Sequence, residues 1–280
     1  MPNSGISRSG LYYAGMRAKR SLGQNFLVSQ AVIGRILETV RFMAGQAQGI
    51  VEVGPGRGAL TGGLVGLGKP YWAVELDDDL AAQTAERFPG IQVSVADARA
   101  FDWFSLGRVT GLHPWLLVAN LPYNAGTEIL HQALFRREIL SGAVVMLQRE
   151  VARKFCARMG EEGYGPHAVW TDPWWERRLL FTVPPGAFRP QPRVTSAVCA
   201  FGQRAGIVLP TAAMQAYWEF VRRAFRLPRK TLLANLCQER ALDGVAWAAS
   251  ITAAGLSPGL RPAQVSPEAF ARLFTMTGSR

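Results

Sequence analysis

Cysteine, histidine and long apolar runs are all scarce in this chain. The three cysteines, Cys156, Cys199 and Cys237, lie far apart and form no CxxC pair, so the sequence suggests neither a zinc site nor a disulfide framework. We expect free thiols and no bound metal. No apolar stretch is long enough to cross a bilayer, and the amino terminus lacks the apolar core of a signal peptide. These absences predict a soluble, cytoplasmic protein that makes no membrane contact.

Acidic residues are outnumbered by basic ones. The 31 lysines and arginines exceed the 20 aspartates and glutamates, which gives a net charge of +11. Such a surplus raises both the association rate and the non-specific affinity for a polyanion, and nucleic acid is the commonest polyanion. The rest of the composition, 49% hydrophobic, is that of a globular protein with a sizeable core.

Short apolar segments alternate with helical patterns from Ser29 to Gln148. This alternation predicts an α/β fold with a mostly parallel sheet covered on both faces. Residues 195–201 (TSAVCAF) alternate like an edge strand, and residues 183–192 are too proline-rich for a helix or a central strand. Beyond Leu209 the pattern is purely helical. We therefore expect a disordered tail at 1–18, an α/β domain at 19–208 and a small helical domain at 209–280.

Glycines and carboxylates end three successive predicted strands. Gly54 and Gly56 follow the first strand, where glycine lets the backbone approach a ligand closely, while Pro55 argues against a pyrophosphate cradle. Glu75 ends the second strand and can accept hydrogen bonds from ribose hydroxyls, and Asp97 ends the third and can accept from an adenine amine. Each residue is also compatible with a simple turn or a helix cap. Their order at three strand ends favours a nucleoside-containing cofactor.

The fourth predicted strand ends in Asn120-Leu121-Pro122-Tyr123. The N6 lone pair of adenine is delocalised into the ring, so the amine becomes nucleophilic only when both its N–H bonds are accepted and the nitrogen turns tetrahedral. The Asn120 side-chain oxygen and the Leu121 carbonyl are candidate acceptors, and Pro122 stiffens the turn. Tyr123 offers a ring on which an extruded base can stack, worth roughly 1–3 kcal/mol. The motif predicts methyl transfer to adenine; an Asn-Pro turn with a core tyrosine is the plainer alternative.

This mechanism requires no general base, because the proton can leave after methylation. The motif accordingly has no histidine near it. We expect His113, His131 and His167 to be structural or surface residues.

Together these motifs resemble the KsgA/RsmA family of ribosomal RNA adenine dimethyltransferases, from about Lys19 to about Leu236. Residues 22–27 (LGQNFL), 146–151 (MLQREV), 183–188 (VPPGAF) and 188–194 (FRPQPRV) also match the family. The resemblance implies a Rossmann-like methyltransferase domain that uses S-adenosyl-L-methionine, followed by a small helical domain. The implied reaction is N6 dimethylation of two adjacent adenosines in the 3′-terminal hairpin of 16S rRNA, within the pre-30S subunit. Nothing in the sequence requires more than a monomer.

The resemblance also implies roles for individual residues. Asn120 would touch both cofactor and target amine, and Phe188 would face Tyr123 across the target base. The catalytic set is Asn120, Leu121, Pro122, Tyr123 and Phe188, and the cofactor-binding set is Gln24, Asn25, Leu27, Gly54, Gly56, Glu75, Leu76, Asp97, Ala98 and Asn120.

Seven cations are candidates for phosphate contacts. Two flank or follow Phe188 and five cluster at the start of the helical segment, where they would spread over more than one helix face. A solvated surface is therefore the alternative interpretation. The seven are Arg189, Arg193, Arg222, Arg223, Arg226, Arg229 and Lys230.

Four other functions share parts of this pattern. Macrolide-resistance methyltransferases act on large-subunit RNA, but residues 23–27 and 225–231 resemble the small-subunit branch more closely. DNA adenine methyltransferases have proline where Leu121 stands, and protein-glutamine methyltransferases have little need of this positive charge. A non-catalytic RNA-binding assembly factor could lose the candidate site residues freely. The joint presence of four of them therefore favours an enzyme: Glu75, Asp97, Asn120 and Tyr123.

Two stretches depart from the family pattern. Ala125 and Gly126 follow the Asn120–Tyr123 motif, and we expect them to loosen the start of the next helix. Pro173 interrupts a helix that we expect after Tyr164.

Overall fold

The computed structural model describes residues 24–206, 209–238 and 243–277, so the tail predicted at 1–18 lies outside the described residues. The strands in these ranges are β1 (Phe26–Leu27), β2 (Gly49–Val53), β3 (Tyr71–Glu75), β4 (Gln92–Val95), β5 (Trp115–Asn120), β6 (Leu140–Gln148), β7 (Trp175–Val183), β8 (Phe188–Arg189) and β9 (Ser196–Gln203). The α-helices are α1 (Gln30–Ala44), α2 (Thr61–Val65), α3 (Asp78–Arg87), α4 (Phe104–Thr110), α5 (Gly126–Leu134), α6 (Arg149–Cys156), α7 (Pro166–Thr171), α8 (Met214–Ala224), α9 (Leu232–Leu236), α10 (Gly244–Ala253) and α11 (Pro267–Thr277).

Seven strands form one sheet in the order β4-β3-β2-β5-β6-β9-β7, and β1 pairs separately with β8. The first five strands of the large sheet are parallel, whereas β9 runs antiparallel to both of its neighbours. The chain moves outward from β2 through β3 and β4 and then returns to the other side of β2 as β5. Open α/β sheets bind ligands at such a switch point, beyond the carboxyl ends of the strands. The predicted α/β fold is confirmed.

The interpretation of residues 195–201 as an edge strand is wrong. β9 lies between β6 and β7, and its pairing with β7 runs from Trp175 opposite Gln203 to Val183 opposite Ser196. The strand β7 went unrecognised because its mixed polar pattern (WERRLLFTV) resembles neither an alternating nor a continuously apolar strand. The helix expected after Tyr164 is only the short α7, which ends at Thr171, before Pro173.

Alternate residues of the central strands enter two apolar clusters, one on each face of the sheet. On β5, Leu116 and Val118 join a cluster with α1 and α2, whereas Leu117 and Ala119 join a larger cluster with α4, α5 and α6. Both faces of β5 are therefore buried, which explains its continuous apolar sequence.

The helices after residue 209 pack on the larger cluster and not on a separate core. The buried indole N–H groups of Trp170 and Trp174 donate to the carbonyls of Met214 (3.2 Å) and Leu209 (2.9 Å). These bonds join α7 and its following turn to the helical segment. The domain boundary between residues 208 and 209 stays a prediction.

His131 and His167 lie where α5, α7 and α8 meet, inside an aromatic cluster. The His131 ring stacks on Trp170 with centroids 4.1 Å apart, and His167 stacks on Trp218 at 5.5 Å. Burial lowers the pKa of His131 to about 3 and that of His167 to about 4, so both are neutral at pH 7. They are structural residues of this junction and do not line the cavity described below.

Among the described residues, no helix has the length and apolar character needed to traverse a bilayer.

Candidate active site

The register of the parallel strands brings the predicted cofactor residues to one edge of the sheet. Val53 at the end of β2 is in register with the residues that precede Glu75 on β3 and Asn120 on β5. Gly54, Glu75 and Asn120 therefore leave the sheet side by side, and a cavity of about 270 Å³ opens there. The predicted residues that line it are Gln24, Asn25, Gly54, Gly56, Glu75, Leu76, Asp97, Ala98, Asn120, Leu121, Pro122 and Tyr123.

The glycine-rich loop after β2 lies close to the amino-terminal segment. Gly54 and Gly56 have φ values of 68° and 54°, a region that side-chain-bearing residues rarely adopt. A Cβ on Gly56 would lie 3.2 Å from the Phe26 ring, tighter than ordinary van der Waals contact. Glycine at position 56 thus lets the loop pass directly over Phe26 and form one wall of the cavity.

The Glu75 carboxylate is held by three backbone N–H groups. One oxygen accepts from Leu76 (2.8 Å) and Asp77 (3.0 Å), and the other accepts from Gly56 (3.1 Å). Burial raises the pKa of Glu75, while these three bonds oppose that rise. Because a carboxylate has about four acceptor positions, room remains for a hydroxyl donor from the cavity. The arrangement suits a carboxylate that binds a ribose.

Asp97 forms an ion pair with a residue that the sequence did not single out. Both carboxylate oxygens of Asp97 lie 3.0 Å from Nε of Arg99, and the Arg99 backbone N–H donates at 2.9 Å. The Arg99 side chain holds the pKa of Asp97 below its usual value. Arg99 also lines the cavity and lies 4.0 Å from Glu128 of α5. Asp97 is thus an ionised carboxylate with a fixed orientation, at the position where the sequence predicts binding of the cofactor's adenine amine.

Asn120 is oriented by the amino-terminal segment. Its side-chain Nδ2 donates to the backbone carbonyl of Asn25 at 3.2 Å, which turns the Oδ1 atom away from Asn25. The loop after Asn120 is fixed to the sheet, because the Leu121 N–H donates to the Met146 carbonyl at 3.1 Å. The Asn25 carbonyl thus fixes the orientation of the Asn120 amide, a residue that lines the cavity.

The structure does not place Leu27 and Phe188 in this cavity. Leu27 lines a smaller adjoining cavity with Gly54 and Asn120, and Phe188 has no exposed surface. The two residues are paired between β1 and β8, and both side chains belong to the apolar cluster under α1. The Phe188 ring is packed in this cluster, and its role opposite Tyr123 at the target base stays a prediction.

Ala125 provides no side-chain cap for α5, and the expected loosening of the helix start stays a prediction. The helix begins at Gly126 itself, whose N–H donates to the Pro122 carbonyl at 2.7 Å. A Cβ at this position would lie 3.0 Å from the Leu147 side chain and 3.1 Å from that of Leu121. Glycine here allows α5 to approach β6 and the Asn120–Tyr123 loop closely.

Other cavity residues were missed because their types carry no chemical signal in sequence. Phe26, Val53, Val74 and Ile129 form apolar walls. Glu52 is buried beneath the glycine-rich loop, where its carboxylate accepts hydrogen bonds from Thr61 (2.8 Å) and from the Tyr71 hydroxyl. The sequence did carry a signal for Glu52, because it is the one charged residue in the otherwise apolar strand β2 and lies two residues before Gly54.

The predicted phosphate-binding cations are at the surface. Arg222, Arg223 and Arg226 line one open groove together with Glu219, and the Arg222 guanidinium lies over the Trp218 ring at 5.9 Å. Arg229 and Lys230 are exposed just after this groove. Arg189 and Arg193 are exposed on the loop that carries Phe188. The structure thus groups three of the seven cations in one groove, and phosphate binding by them stays a prediction.

Comparison with known proteins agrees with this geometry. The chain matches the model of the ribosomal RNA adenine dimethylase family over residues 15–275. It belongs to this family. Ribosomal RNA small subunit methyltransferase A of Hahella chejuensis is 35% identical, with 92% of each chain covered, and that of Syntrophotalea carbinolica is 36% identical, with 92% of this chain and 96% of the relative covered. The family prediction is confirmed, and the protein is a methyltransferase that uses S-adenosyl-L-methionine.

Two solved structures resemble the whole adenine dimethylase fold of this chain. The 23S rRNA methyltransferase ErmE has a TM-score of 0.67 at 28% identity, covering 90% of this chain and 99% of its own. A dimethyladenosine transferase from Plasmodium falciparum has a TM-score of 0.71 at 19% identity, covering 90% and 98%. The second likeness concerns the fold alone.

The cavity residues fit the family's cofactor. Glu75 offers a buried acceptor for ribose hydroxyls, Asp97 an ionised acceptor for an amine, and Leu76 and Ala98 flank the space between them. The close passage of Gly56 over Phe26 leaves backbone, not side chain, facing the cavity. These residues would hold the nucleoside part of S-adenosyl-L-methionine.

Proposed function

We propose that this protein dimethylates the N6 amines of two adjacent adenosines in the 3′-terminal hairpin of 16S rRNA. In this proposal the substrate is the pre-30S subunit, and the enzyme acts as a cytoplasmic monomer. The observation that carries the proposal is the position of Asn120-Leu121-Pro122-Tyr123 at the same edge of the sheet as Glu75 and Asp97.

The protein's own groups act by orienting the amine. S-adenosyl-L-methionine supplies an electrophilic methyl group when bound. The Asn25 carbonyl fixes the Asn120 amide, whose Oδ1 accepts one N–H of the adenine amine, and the Leu121 carbonyl accepts the other. The Pro122 carbonyl, in turn, accepts from Gly126 and fixes the loop backbone. In the first transfer, the two acceptors draw the nitrogen toward tetrahedral geometry and direct its lone pair at the methyl carbon. The methyl–sulfur bond would break as the N–C bond forms, and the nitrogen would then release one proton to water. The monomethylated amine has one N–H left, so the second transfer relies on one acceptor, and catalysis is mainly orientation.

The surface charge supports an RNA substrate. Arg222, Arg223 and Arg226 share one groove and can follow a phosphate backbone, whereas the base itself enters the cavity beside Tyr123. The net charge of +11 supplies the long-range attraction that brings the subunit RNA to this surface.

Methyl transfer from labelled S-adenosyl-L-methionine to 30S subunits that lack the modification tests the proposal. Wild type should produce dimethyladenosine on nucleoside analysis, and Asn120→Ala should lower the rate by roughly 10²-fold or more, the scale on which single oriented polar groups act. Equal unfolding temperatures of the two proteins would show that Asn120→Ala is folded.

Two other outcomes would contradict the proposal. Activity on protein-free 23S rRNA without activity on 30S subunits would assign the protein to the large-subunit methyltransferases. RNA binding with no methyl transfer to either substrate would favour the assembly-factor function.

A further inference from the structure

The Tyr123 hydroxyl makes a hydrogen bond to Ser196 of β9, an interior strand of the large sheet. The phenol oxygen lies 2.7 Å from Oγ of Ser196, the first residue of β9. Tyr123 is half-buried and lines the cavity, whereas Ser196 has no exposed surface. The bond therefore connects the target-base side of the cavity to the interior of the sheet.

Ser196 is a rigid anchor because strands hold it on both sides. It lies opposite Gln148 of β6 and opposite Val183 of β7. The carbonyl of the preceding Thr195 accepts from the N–H of Arg149 at 2.9 Å. Movement of Ser196 would disturb two strand pairings at once, so its hydroxyl is a fixed reference point.

The Ser196 hydroxyl lies in a buried, mostly apolar stretch of β9. Ala197, Val198 and Cys199 follow it in β9 and are fully buried, so the surroundings are apolar. A buried hydroxyl without a partner costs free energy, and the Tyr123 phenol is the partner that the structure provides. Each of the two hydroxyl groups therefore has the other as its hydrogen-bond partner.

We propose that Ser196 is a positioning residue for the target base, because its hydroxyl fixes the direction of the long axis of the Tyr123 ring. The ring is held at one end by its backbone and at the other by Ser196. With both ends fixed, the ring can flip about its axis but cannot tilt. A base that stacks on it then enters with its amine directed at Asn120. This inference rests on the proposed function and deepens it.

A double-mutant cycle with Ser196→Ala, Tyr123→Phe and the double variant tests the inference. Each single variant keeps the stacking ring but loses the same hydrogen bond. We expect each to lower kcat/KM for 30S subunits by roughly 3- to 10-fold, the scale of one hydrogen bond. The double variant should lose no more than either single variant, and the Kd for S-adenosyl-L-methionine should stay unchanged.

The matched control is Ser94→Ala, which removes another bond between a serine and an aromatic residue of the same sheet. The Ser94 Oγ accepts from the Trp72 indole N–H at 2.9 Å, away from Tyr123. This variant should alter the unfolding temperature without changing kcat/KM for the RNA. Equal losses of kcat/KM in Ser94→Ala and Ser196→Ala would show that Ser196 serves stability alone. Additive losses in the cycle would show that Ser196 does not act through its bond to Tyr123, and either result would overturn the inference.

The same cycle, measured as the Kd for an RNA hairpin with two adjacent unpaired adenines, needs no methyl transfer. Non-additive weakening there would support the role of Ser196 even if 30S subunits were not methylated, an outcome that would overturn only the proposed reaction. Unaltered hairpin affinity in both single variants, together with unaltered kcat/KM, would overturn the role of Ser196.

Discussion

The cavity edge of the sheet, where Gly54, Glu75 and Asn120 lie, and the basic groove at the end of α8 hold their polar side chains in different ways. At the cavity edge, strand register and backbone N–H groups fix each carboxylate, as the three donors to Glu75 show. On α8, the arginines project from the surface, where each makes a small, screened contribution. A small cofactor requires each group in one place, whereas a polyanion responds to summed charge. A single truncation such as Asn120→Ala should therefore impair the first site, whereas the second should weaken only when several charges are removed.

Replacement of Glu52 should give the largest effect, a change in the free energy of unfolding. It tests how much the burial of a carboxyl beneath the glycine-rich loop costs the folded state. Burial raises its pKa from 4.5 to about 7. The folded state therefore keeps a proton that the unfolded chain releases, and stability is lost as the pH rises from about 4.5 through 7. Glu52→Gln removes this titration, and the hydroxyls of Thr61 and Tyr71 can still donate to the amide oxygen. We expect its free energy of unfolding at pH 8 to exceed that of wild type by up to about 3 kcal/mol.

Denaturant unfolding at pH 5 and pH 8 measures this difference. The exposed Glu86 provides the control, since Glu86→Gln should behave like wild type at both pH values. A Glu52→Gln advantage that is equal at both pH values would contradict the assignment of the cost to ionisation.

The basic groove and the turn after it should respond to several charges together. Replacing Arg226, Arg229 and Lys230 by glutamine should weaken RNA binding about 10- to 100-fold near physiological salt. The slope of log K against log salt should fall by about 2 to 3, because each phosphate contact contributes about 0.7–0.9. Binding of S-adenosyl-L-methionine should not change. Filter binding over a salt series measures both quantities.

The control for this variant removes charge from the opposite edge of the sheet. Arg41 and Arg108 lie in the last turns of α1 and α4, helices that end before the starts of β2 and β5. Arg41→Gln with Arg108→Gln should leave the salt slope close to that of wild type. An unchanged slope in the triple variant would remove these three cations from the RNA contact.

Replacement of Arg99 is expected to change cofactor affinity least. Arg99 combines features of both regions, because its side chain is exposed and yet lines the cavity. Its hydrogen bonds hold the pKa of Asp97 below the usual value. Arg99→Leu should let that pKa rise, so the loss of cofactor affinity on acidification should begin at a higher pH. At pH 7.5 the Kd for S-adenosyl-L-methionine should change by less than roughly tenfold.

Calorimetric titrations of the cofactor between about pH 3 and 6, a window that includes the ordinary pKa of an aspartate, measure this shift. Arg108→Leu is the matched control, because Arg108 pairs with Asp102 outside the cavity. Identical pH profiles for Arg99→Leu and wild type would show that Arg99 does not tune Asp97.

Strand ends were predictable from sequence because apolar runs and the polar residues that follow them are local signals. Gly54, Glu75, Asp97 and Asn120 were found in this way, and the cavity contains all four. The interior position of β9 was not predictable, because it depends on β7, whose pairing partners are distant in sequence. Phe188 was placed at the target base by resemblance, yet its packing beside Leu27 is a tertiary contact that no local pattern encodes. The hydrogen bond between Tyr123 and Ser196 is likewise a tertiary contact between residues distant in sequence, and no local pattern predicts it.

The small pairing of β1 with β8 has a thermodynamic consequence. Two residues on each side, Phe26 opposite Arg189 and Leu27 opposite Phe188, join the segment that orients Asn120 to the loop that carries Arg189 and Arg193. A ligand that stabilises one segment lowers the cost of ordering the other. Coupling free energy is reciprocal, so any gain in RNA affinity that the cofactor produces through this pairing must equal the gain in cofactor affinity that the RNA produces. This four-residue ladder is therefore the contact through which ordering of one segment can favour ordering of the other.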